Sequence, residues 1–181
     1  MEARTDLVFA GAEPLTVSGT QLQPGETAPD FCLDYLDLVD LTVRTVGLAD
    51  SARMVRLLSV INSLHNPLCQ HVTHRWEGLC ADLPARACIY TVSMDPPKMQ
   101  ARWQDGAGVL HQLLSAWRSD QFGQDYGVWL QEWQQLARAV LVIDRRDRLV
   151  YVEYIADQNR EPEYGAALEA VQQAAMEKLP G

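Results

Sequence analysis

Two nearly uninterrupted apolar runs, joined by a well-capped helical pattern, limit the fold of this chain more than any other feature. The runs are VRLLSVI (55–61) and ACIYTVSM (87–94). A strand without polar alternation is typical of a central strand that is covered on both faces. Between them, Asn66 is a favoured N-cap residue and Pro67 fits the first helical position. Apolar residues then recur at the spacing of one helix face: Leu68, Val72, Trp76, Leu79 and Leu83.

Strand and helix patterns alternate through the rest of the chain. We predict an N-terminal β-hairpin (6–11 and 15–19), two strand-like segments (28–38 and 39–46), a short helix (95–105), a strand–turn–strand unit (136–144 and 149–155) and a closing amphipathic helix (161–179). This order predicts an α/β fold with a central mixed sheet and helices on both faces. The chain has no repeat, linker or low-complexity segment, so one domain is expected over residues 1–181.

Charge and composition exclude several classes of protein. The formal net charge of −9 argues against nucleic acid or an anionic membrane as the main partner. No apolar stretch approaches the ~18 residues of a membrane span, and the first residues lack the basic-then-apolar order of a signal peptide. We expect a soluble, cytoplasmic protein. Its four cysteines form no C-x-x-C pair, so no disulfide scaffold is expected, and Cys32, Cys80 and Cys88 are predicted to be buried structural thiols.

Cys69 is the first candidate for chemistry, because it falls on the third residue of the predicted helix. Unpaired backbone N–H groups and the helix dipole favour negative charge there, which lowers the pKa of a thiol and populates the reactive thiolate. The residues alone leave a second interpretation open, a buried cysteine that only packs. Arg138 is the second candidate. It interrupts the apolar strand 136–144, where a charge needs either a partner or contact with solvent at the strand end.

Six segments of the chain together carry a family resemblance. They are VFAGAEPLTVSGTQLQPGETAPDF (8–31), NSLHNPLC (62–69), SMDPP (93–97), FGQDYGV (122–128), LARAVLVID (136–144) and EPEYGAAL (161–168). In this order and near this spacing, the chain resembles the bacterial thiol peroxidases, a branch of the peroxiredoxins, almost from end to end. The resemblance implies a thioredoxin-like fold with an N-terminal hairpin.

The resemblance also implies roles for three residues. Cys69 is the peroxidatic cysteine, which attacks a peroxide oxygen and becomes a sulfenic acid. Arg138 lies beside the thiolate, favours its charge and helps to bind peroxide. Asn66 stands in the place of a family threonine; it can cap the helix and donate a hydrogen bond, but it cannot act as a hydroxyl. The implied activity is a thiol-dependent peroxidase for hydrogen peroxide or organic hydroperoxides, without a cofactor.

Two further positions depart from the family pattern. Asn62 replaces a proline whose ring shields the pocket from water, and Gln104 stands where the family has its resolving cysteine. Cys80 is a weak substitute, because it lies 11 residues beyond Cys69, about 16 Å along an intact helix, whereas a disulfide needs Cα atoms within about 7 Å. The sulfenic acid is then expected to be reduced by an outside thiol, from thioredoxin or another reductant.

Neither the histidines nor the tryptophans change this interpretation. Positions 69 and 71 of a helix differ by about 200°, so zinc ligands are not expected to converge there. The residues considered for such a site are His65, Cys69, His71 and His74. Trp129 and Trp133 are spaced as one packed helical or loop face. The resemblance implies a homodimer surface in this region, and core packing is the alternative.

Two interpretations from different classes follow. The first is the peroxidase, which acts on peroxide and is reduced by thioredoxin or another thiol. The second is a module that keeps the fold but senses redox state or binds a partner, with an activity weakened or lost through Asn62, Asn66 and Gln104. The reactivity of Cys69 towards peroxide distinguishes the two.

Overall fold

The chain folds into strands and helices in the alternating order that its sequence predicts. The computed structural model describes residues 3–10 and 13–177. The strands are β1 (Ala3–Ala10), β2 (Glu13–Ser18), β3 (Leu33–Leu36), β4 (Val43–Val46), β5 (Val55–Val60), β6 (Ala87–Ser93), β7 (Gln112–Ser115), β8 (Trp129–Leu130), β9 (Gln135–Leu136), β10 (Ala139–Ile143) and β11 (Leu149–Tyr154). The α-helices are α1 (Pro67–Leu79), α2 (Pro97–Ala107), α3 (Gln121–Asp125) and α4 (Tyr164–Met176). None of the helices within the described ranges is long and apolar enough to cross a membrane.

Seven strands form one mixed sheet in the spatial order β11-β10-β5-β6-β7-β3-β4. Strands β5, β6 and β7 run parallel, and the other pairings are antiparallel. Every side chain of β5 and of β10 is buried, since both faces of the sheet are covered. The predicted central mixed sheet is confirmed. The prediction that VRLLSVI (55–61) supplies a central strand covered on both faces is confirmed by β5.

Helix α1 begins as predicted and ends earlier. Asn66 is its N-cap, with an extended backbone, and Pro67 is its first residue. The helix stops at Leu79 and a 3₁₀ turn follows, so the prediction that Leu83 belongs to the helical face is wrong. Leu83 precedes Pro84, and a residue before proline disfavours helical backbone; its ψ of 142° is extended.

Different layers cover the two faces of the large sheet. Trp76 of α1 and Val171 of α4 pack with Leu57 on one face. On the other face, Phe122 of α3 packs with Leu58 and with a second, smaller sheet. Because successive residues of a strand point to opposite faces, neighbouring leucines of β5 enter different layers of the core.

The predicted N-terminal hairpin belongs to that smaller sheet, which is antiparallel in the order β1-β2-β8-β9. Strand β2 begins at Glu13, earlier than predicted, and residues 11–12 of the hairpin lie outside the described residues. The chain passes from β9 of the small sheet to β10 of the large sheet through Ala137 and Arg138 alone. This short crossing places Arg138 at the junction of the two sheets rather than inside a strand.

Candidate active site

Cys69 occupies the first turn of α1. The side-chain oxygen of Asn66 accepts a hydrogen bond from the backbone N–H of Leu68 at 2.9 Å, which fixes the start of the helix. Cys69 is therefore the third residue of the helix, as predicted, where backbone N–H groups have no partner in a preceding turn. Its side chain is 0% exposed and packs with Ile61 and Leu64. The thiol is enclosed in this structure.

Opposing influences act on the acidity of that thiol. Burial raises the pKa of Cys69, and the carboxylate of Asp95 acts in the same direction. Backbone N–H groups of Ser63 and Asn62, hydrogen-bonded to the sulfur, and the charge of Arg138 lower the pKa. Burial prevails, so the prediction of a lowered pKa is wrong for the enclosed thiol. The predicted charges act in the predicted direction, but the loss of water around the sulfur outweighs them.

Arg138 is a buried cation close to this thiol. It is 1% exposed, and none of its three guanidinium nitrogens has a hydrogen-bond partner within the described part of the chain. The interpretation in which Arg138 reaches water at a strand end is wrong, because the short crossing between the sheets holds it inside. Burial lowers the pKa of Arg138, and among the opposing influences the charge of Cys69 is the largest. The two side chains are therefore electrostatic neighbours.

Buried amides connect the loop before α1 to the backbone of Arg138. The Nδ2 group of Asn62 donates to the carbonyl of Leu136 at 2.7 Å and to Oε1 of Gln158 at 2.9 Å. The same Gln158 oxygen accepts from the backbone N–H of Arg138 at 2.8 Å. On the other side, Oδ1 of Asn62 accepts from the Cys69 thiol at 3.8 Å. One side chain thus contacts both the sulfur and the segment that positions the guanidinium.

Asn62 therefore closes the pocket rather than opening it. It is 2% exposed, and the sulfur beside it stays dry, so the expected loss of shielding from the missing proline is wrong. Sequence reasoning missed Gln158 entirely, although it is also 2% exposed. The need of a buried amide for partners was the one signal that could have pointed to such a residue.

Asp95 fixes the other side of the loop. Its carboxylate accepts hydrogen bonds from the hydroxyl of Ser63 at 2.7 Å, from the backbone N–H of Leu64 at 2.7 Å and from the hydroxyl of Ser93 at 2.8 Å. Ser93 and Asp95 belong to the SMDPP segment at the end of β6. The segment therefore holds the loop between β5 and α1 in place from the neighbouring strand.

Two surface cavities lie near the site, and Cys69 lines neither. A groove beside α1 and α2 is lined by polar and aromatic side chains that include His65, His74, Asp95, Arg102 and Trp103. A smaller cavity reaches Arg138 from the small sheet, beside Arg4 and Tyr154. The Cys69 sulfur has no exposed surface, so neither cavity reaches it in this enclosed state.

Comparison with known proteins decides the family. Residues 24–152 match the AhpC/TSA family. The chain belongs to the AhpC/TSA family. The thiol peroxidase of Streptococcus sanguinis is 40% identical over 159 residues, which cover 87% of this chain and 94% of that protein. The thiol peroxidase of Halalkalibacterium halodurans is 37% identical and covers 93% of this chain and 98% of its own length.

Solved structures agree with this AhpC/TSA assignment. The peroxiredoxin-like protein from Aquifex aeolicus has a TM-score of 0.82 at 25% identity, with 96% of this chain and 99% of that chain covered. The thiol peroxidase from Chromobacterium violaceum has a TM-score of 0.76 at 22% identity, with 92% and 95% covered. The predicted thioredoxin-like fold and the predicted kinship with bacterial thiol peroxidases are confirmed. The comparisons also confirm the prediction of a thiol-dependent peroxidase over the partner-binding module.

Gln104, which the resemblance places at the resolving position, is tied to the backbone of the loop before β7. The Nε2 group of Gln104 donates to the carbonyl of His111 at 2.9 Å. Cys80 directly follows the last residue of an intact α1, so three helical turns separate it from Cys69. A disulfide between the two cysteines requires that α1 unwinds.

The other thiols differ in exposure. All four cysteines are free, and Cys32 is exposed, which contradicts the prediction that it is a buried structural thiol. Its position just before β3 leaves the side chain at the surface. Cys80 and Cys88 are partly buried, and burial raises the pKa of both.

The three histidines close to Cys69 in sequence have separate partners. His65 lies 3.2 Å from the Ser63 hydroxyl, His71 lies 3.5 Å from Glu161, and His74 packs on the ring of Trp103. They do not converge on the sulfur. Neither tryptophan belongs to a helix: Trp129 belongs to β8 and packs on the core, while Trp133 lies in the following turn and is 38% exposed.

Proposed function

We propose that this chain reduces hydrogen peroxide or organic hydroperoxides, with Cys69 as the nucleophile and Arg138 as the electrostatic stabiliser. The observation that carries the proposal is the buried guanidinium of Arg138, which has no hydrogen-bond partner among the described residues and lies in the field of the Cys69 sulfur. A buried cation without a partner is unfavourable. Its presence beside a thiol favours a state in which an anion forms in the pocket, first the thiolate and then the departing peroxide oxygen.

The reaction needs only the sulfur, the peroxide and one proton. The thiolate of Cys69 attacks one peroxide oxygen, so that the S–O bond forms while the O–O bond breaks. The departing oxygen takes a proton and leaves as water or an alcohol, while the sulfur is oxidised to a sulfenic acid. Arg138 opposes the negative charge as it moves from sulfur to oxygen. Asn66 holds the first turn of α1 and can donate from its amide.

Because Cys69 is enclosed, the movement that admits peroxide to the sulfur also changes the pKa of the thiol. Burial is the largest influence that raises the pKa of Cys69. Movement of the loop between β5 and α1 admits peroxide and water together, and water removes most of that influence. Arg138 lies outside this loop, between β9 and β10, so its charge still acts on the sulfur, whereas the N–H groups of Asn62 and Ser63 move with the loop. Opening therefore lowers the pKa of Cys69 in the same step that admits the substrate.

An outside thiol completes the cycle in this proposal. A thiolate of thioredoxin or of another reductant attacks the sulfenic sulfur, water leaves, and a mixed disulfide forms. A second thiol of the reductant then attacks that disulfide and restores Cys69. The amide at position 104 and the distance of Cys80 along α1 support an external partner over an internal disulfide.

Location and assembly are also proposals. We propose a single domain over residues 1–181 that acts as a cytoplasmic homodimer. The four free cysteines fit a reducing compartment. The exposed aromatic side chains of Trp117 and Trp133, 43% and 38% exposed, fit a protein–protein surface.

Oxidation of the reduced protein by stoichiometric hydrogen peroxide tests the function. Intact mass and peptide mapping are expected to show an added oxygen, or a thiol adduct formed from it, on Cys69 of the wild type. Cys69→Ser is expected to gain none, and the matched control Cys88→Ser, altered at a partly buried cysteine of β6, is expected to behave as wild type. Oxidation of Cys69 no faster than that of free cysteine would overturn the proposal.

A further inference from the structure

Three side chains of different chemistry converge at the opposite end of α1 from the peroxide site. Glu77 and Cys80 are three residues apart where the helix ends, so they lie on the same face. His111 directly precedes β7. A carboxylate oxygen, a sulfur and a ring nitrogen from these residues all lie within 4.8 Å of one another.

The imidazole of His111 is held in the way that metal-bound histidines are held. Its Nε2 lies 2.9 Å from Oγ1 of Thr91, and its Nδ1 lies 2.7 Å from Oε2 of Glu77. When Nε2–H donates to Thr91 and the proton between Nδ1 and Glu77 is lost, the lone pair of Nδ1 is free to bind a metal ion. A hydrogen bond on the far nitrogen is the usual support of a metal-ligating histidine. Thr91 is buried and the His111 side chain is 4% exposed, so packing fixes the ring.

We propose that Glu77, Cys80 and His111 bind a zinc ion, with water as the fourth ligand. Carboxylate oxygen, thiolate sulfur and imidazole nitrogen are ligands that Zn²⁺ accepts in tetrahedral sites. Cys80 and His111 both line an open surface pocket, together with Cys88 and Tyr90. The pocket therefore gives the ion and its water a way to Cys80 and His111, and the partly exposed Glu77 lies against His111.

Binding requires small movements of the flexible ligands. Zinc replaces the proton shared between Glu77 and His111 and the proton of the Cys80 thiol. The carboxylate oxygen and the ring nitrogen must separate from 2.7 Å to about 3.3 Å, the spacing of two tetrahedral zinc bonds of about 2.0–2.1 Å. The Glu77 side chain is 22% exposed, and its Oε2 also accepts from the backbone N–H of His111 at 3.0 Å, so the proposal requires the carboxylate to turn while His111 keeps its bond to Thr91.

The ion would join the end of α1 to the start of β7. It would also occupy the Cys80 sulfur, which protects that thiol from the peroxide that the protein handles. Cys69 takes no part, because it lies three turns away at the other end of the helix. The zinc site and the peroxidase activity are thus separable by experiment.

Calorimetric titration of the reduced, metal-free full chain with Zn²⁺ tests the site. We expect one ion per chain and a rise in Tm, and Co²⁺ in a parallel titration is expected to give a thiolate-to-cobalt absorption band. Cys80→Ser and Glu77→Gln are each expected to weaken zinc binding about tenfold or more, and Thr91→Val to weaken it less by freeing the ring.

Two controls separate this site from other thiols. Cys88→Ser, in the same pocket but outside the cluster, and Cys69→Ser are expected to bind zinc as the wild type does. The thermal unfolding of each metal-free variant shows that the fold is retained. Absence of zinc binding in the wild type, or unchanged affinity in Cys80→Ser, would overturn the proposal.

Discussion

The two ends of α1 carry one cysteine each, in opposite electrostatic settings. At the first turn, backbone N–H groups and the charge of Arg138 oppose the effect of burial on Cys69. At the last turn, burial and the Glu77 carboxylate both raise the pKa of Cys80, and its thiol lies 3.4 Å from the carbonyl of Trp76. Burial is the largest cause that raises the pKa of both thiols, but the nearby Arg138 charge opposes it at Cys69 and the nearby Glu77 charge adds to it at Cys80.

The difference teaches that opening can activate only one of these thiols. Water that enters around Cys69 removes the main influence that raises its pKa and leaves Arg138 in place. Water around Cys80 leaves the Glu77 carboxylate and the carbonyl end of the helix, which disfavour a thiolate. The polarity of one helix thus separates a thiol suited to peroxide from a thiol that needs a cation to lose its proton.

The largest expected effect is on the rate of peroxide reduction, when the cysteine at the start of α1 is replaced. Cys69→Ser is expected to lower the rate of peroxide reduction about a thousandfold or more, because no other group can form the sulfenic acid. Cys80→Ser is expected to leave that rate unchanged. Peroxide consumption with dithiothreitol as reductant measures both, and a comparable loss in the two variants would contradict the assignment.

A second measurement sharpens the contrast in acidity. Burial and Glu77 raise the pKa of Cys80 to about 11, so the thiol keeps its proton at neutral pH and reacts slowly. Its thiolate fraction there is expected to be about a hundredfold below that of an ordinary thiol. Alkylation rates by iodoacetamide, measured over pH in Cys32→Ser/Cys69→Ser/Cys88→Ser, should rise until the pH passes that pKa. Glu77→Gln in that triple variant should lower the pKa read from the alkylation curve. A value at the ordinary 9.0 in the triple variant itself would show that burial and Glu77 do not raise the pKa of Cys80.

Arg138 supplies a third test, in which activity and stability change in opposite directions. Arg138→Met is expected to slow peroxide reduction about tenfold to a hundredfold, because the positive charge near the sulfur is lost. The free energy of unfolding is expected to rise by about 1–2 kcal/mol, because a buried unpartnered charge is replaced by an apolar side chain. Arg138→Lys, which keeps the charge, is the control. A fall in unfolding free energy for Arg138→Met would show that Arg138 has a partner that stabilises the fold.

The last prediction concerns the amides that join the two sides of the pocket and involves stability alone. Asn62→Leu and Gln158→Leu are each expected to lower the free energy of unfolding by about 1–3 kcal/mol, because each leaves a buried partner without its hydrogen bond. In urea denaturation the double variant should lose less than the sum of the single losses. Full additivity would show that the hydrogen bond between the two amides contributes nothing.

Local patterns made part of this structure predictable. The unit of β5, α1 and β6 follows from two apolar runs, and the start of the helix follows from Asn66 and Pro67, since capping depends on neighbours in sequence. The position of Cys69 on the first turn of α1 was predictable for the same reason. The end of the helix was not recovered, because the apolar spacing extends to Leu83 while Pro84 stops the helical backbone earlier.

The rest of the site depends on contacts between distant segments. The partner of Asn62 is Gln158, 96 residues away, and no local pattern relates the two. The acidity of Cys69 depends on how completely the fold excludes water, which a position within a helix does not reveal. The family resemblance supplied the link to Arg138, but not its enclosure at the junction of two sheets.

Ala137 and Arg138 are the whole connection between β9 of the small sheet and β10 of the large sheet. Leu136 is paired with Trp129 on one side, and Ala139 is paired with Val60 on the other. The position of Arg138 therefore depends on the strand pairing of the small sheet on one side and on that of the large sheet on the other. Substitutions in the N-terminal hairpin that shift the small sheet would displace this cation relative to the sulfur, and so alter oxidation rates without changing any residue of the pocket.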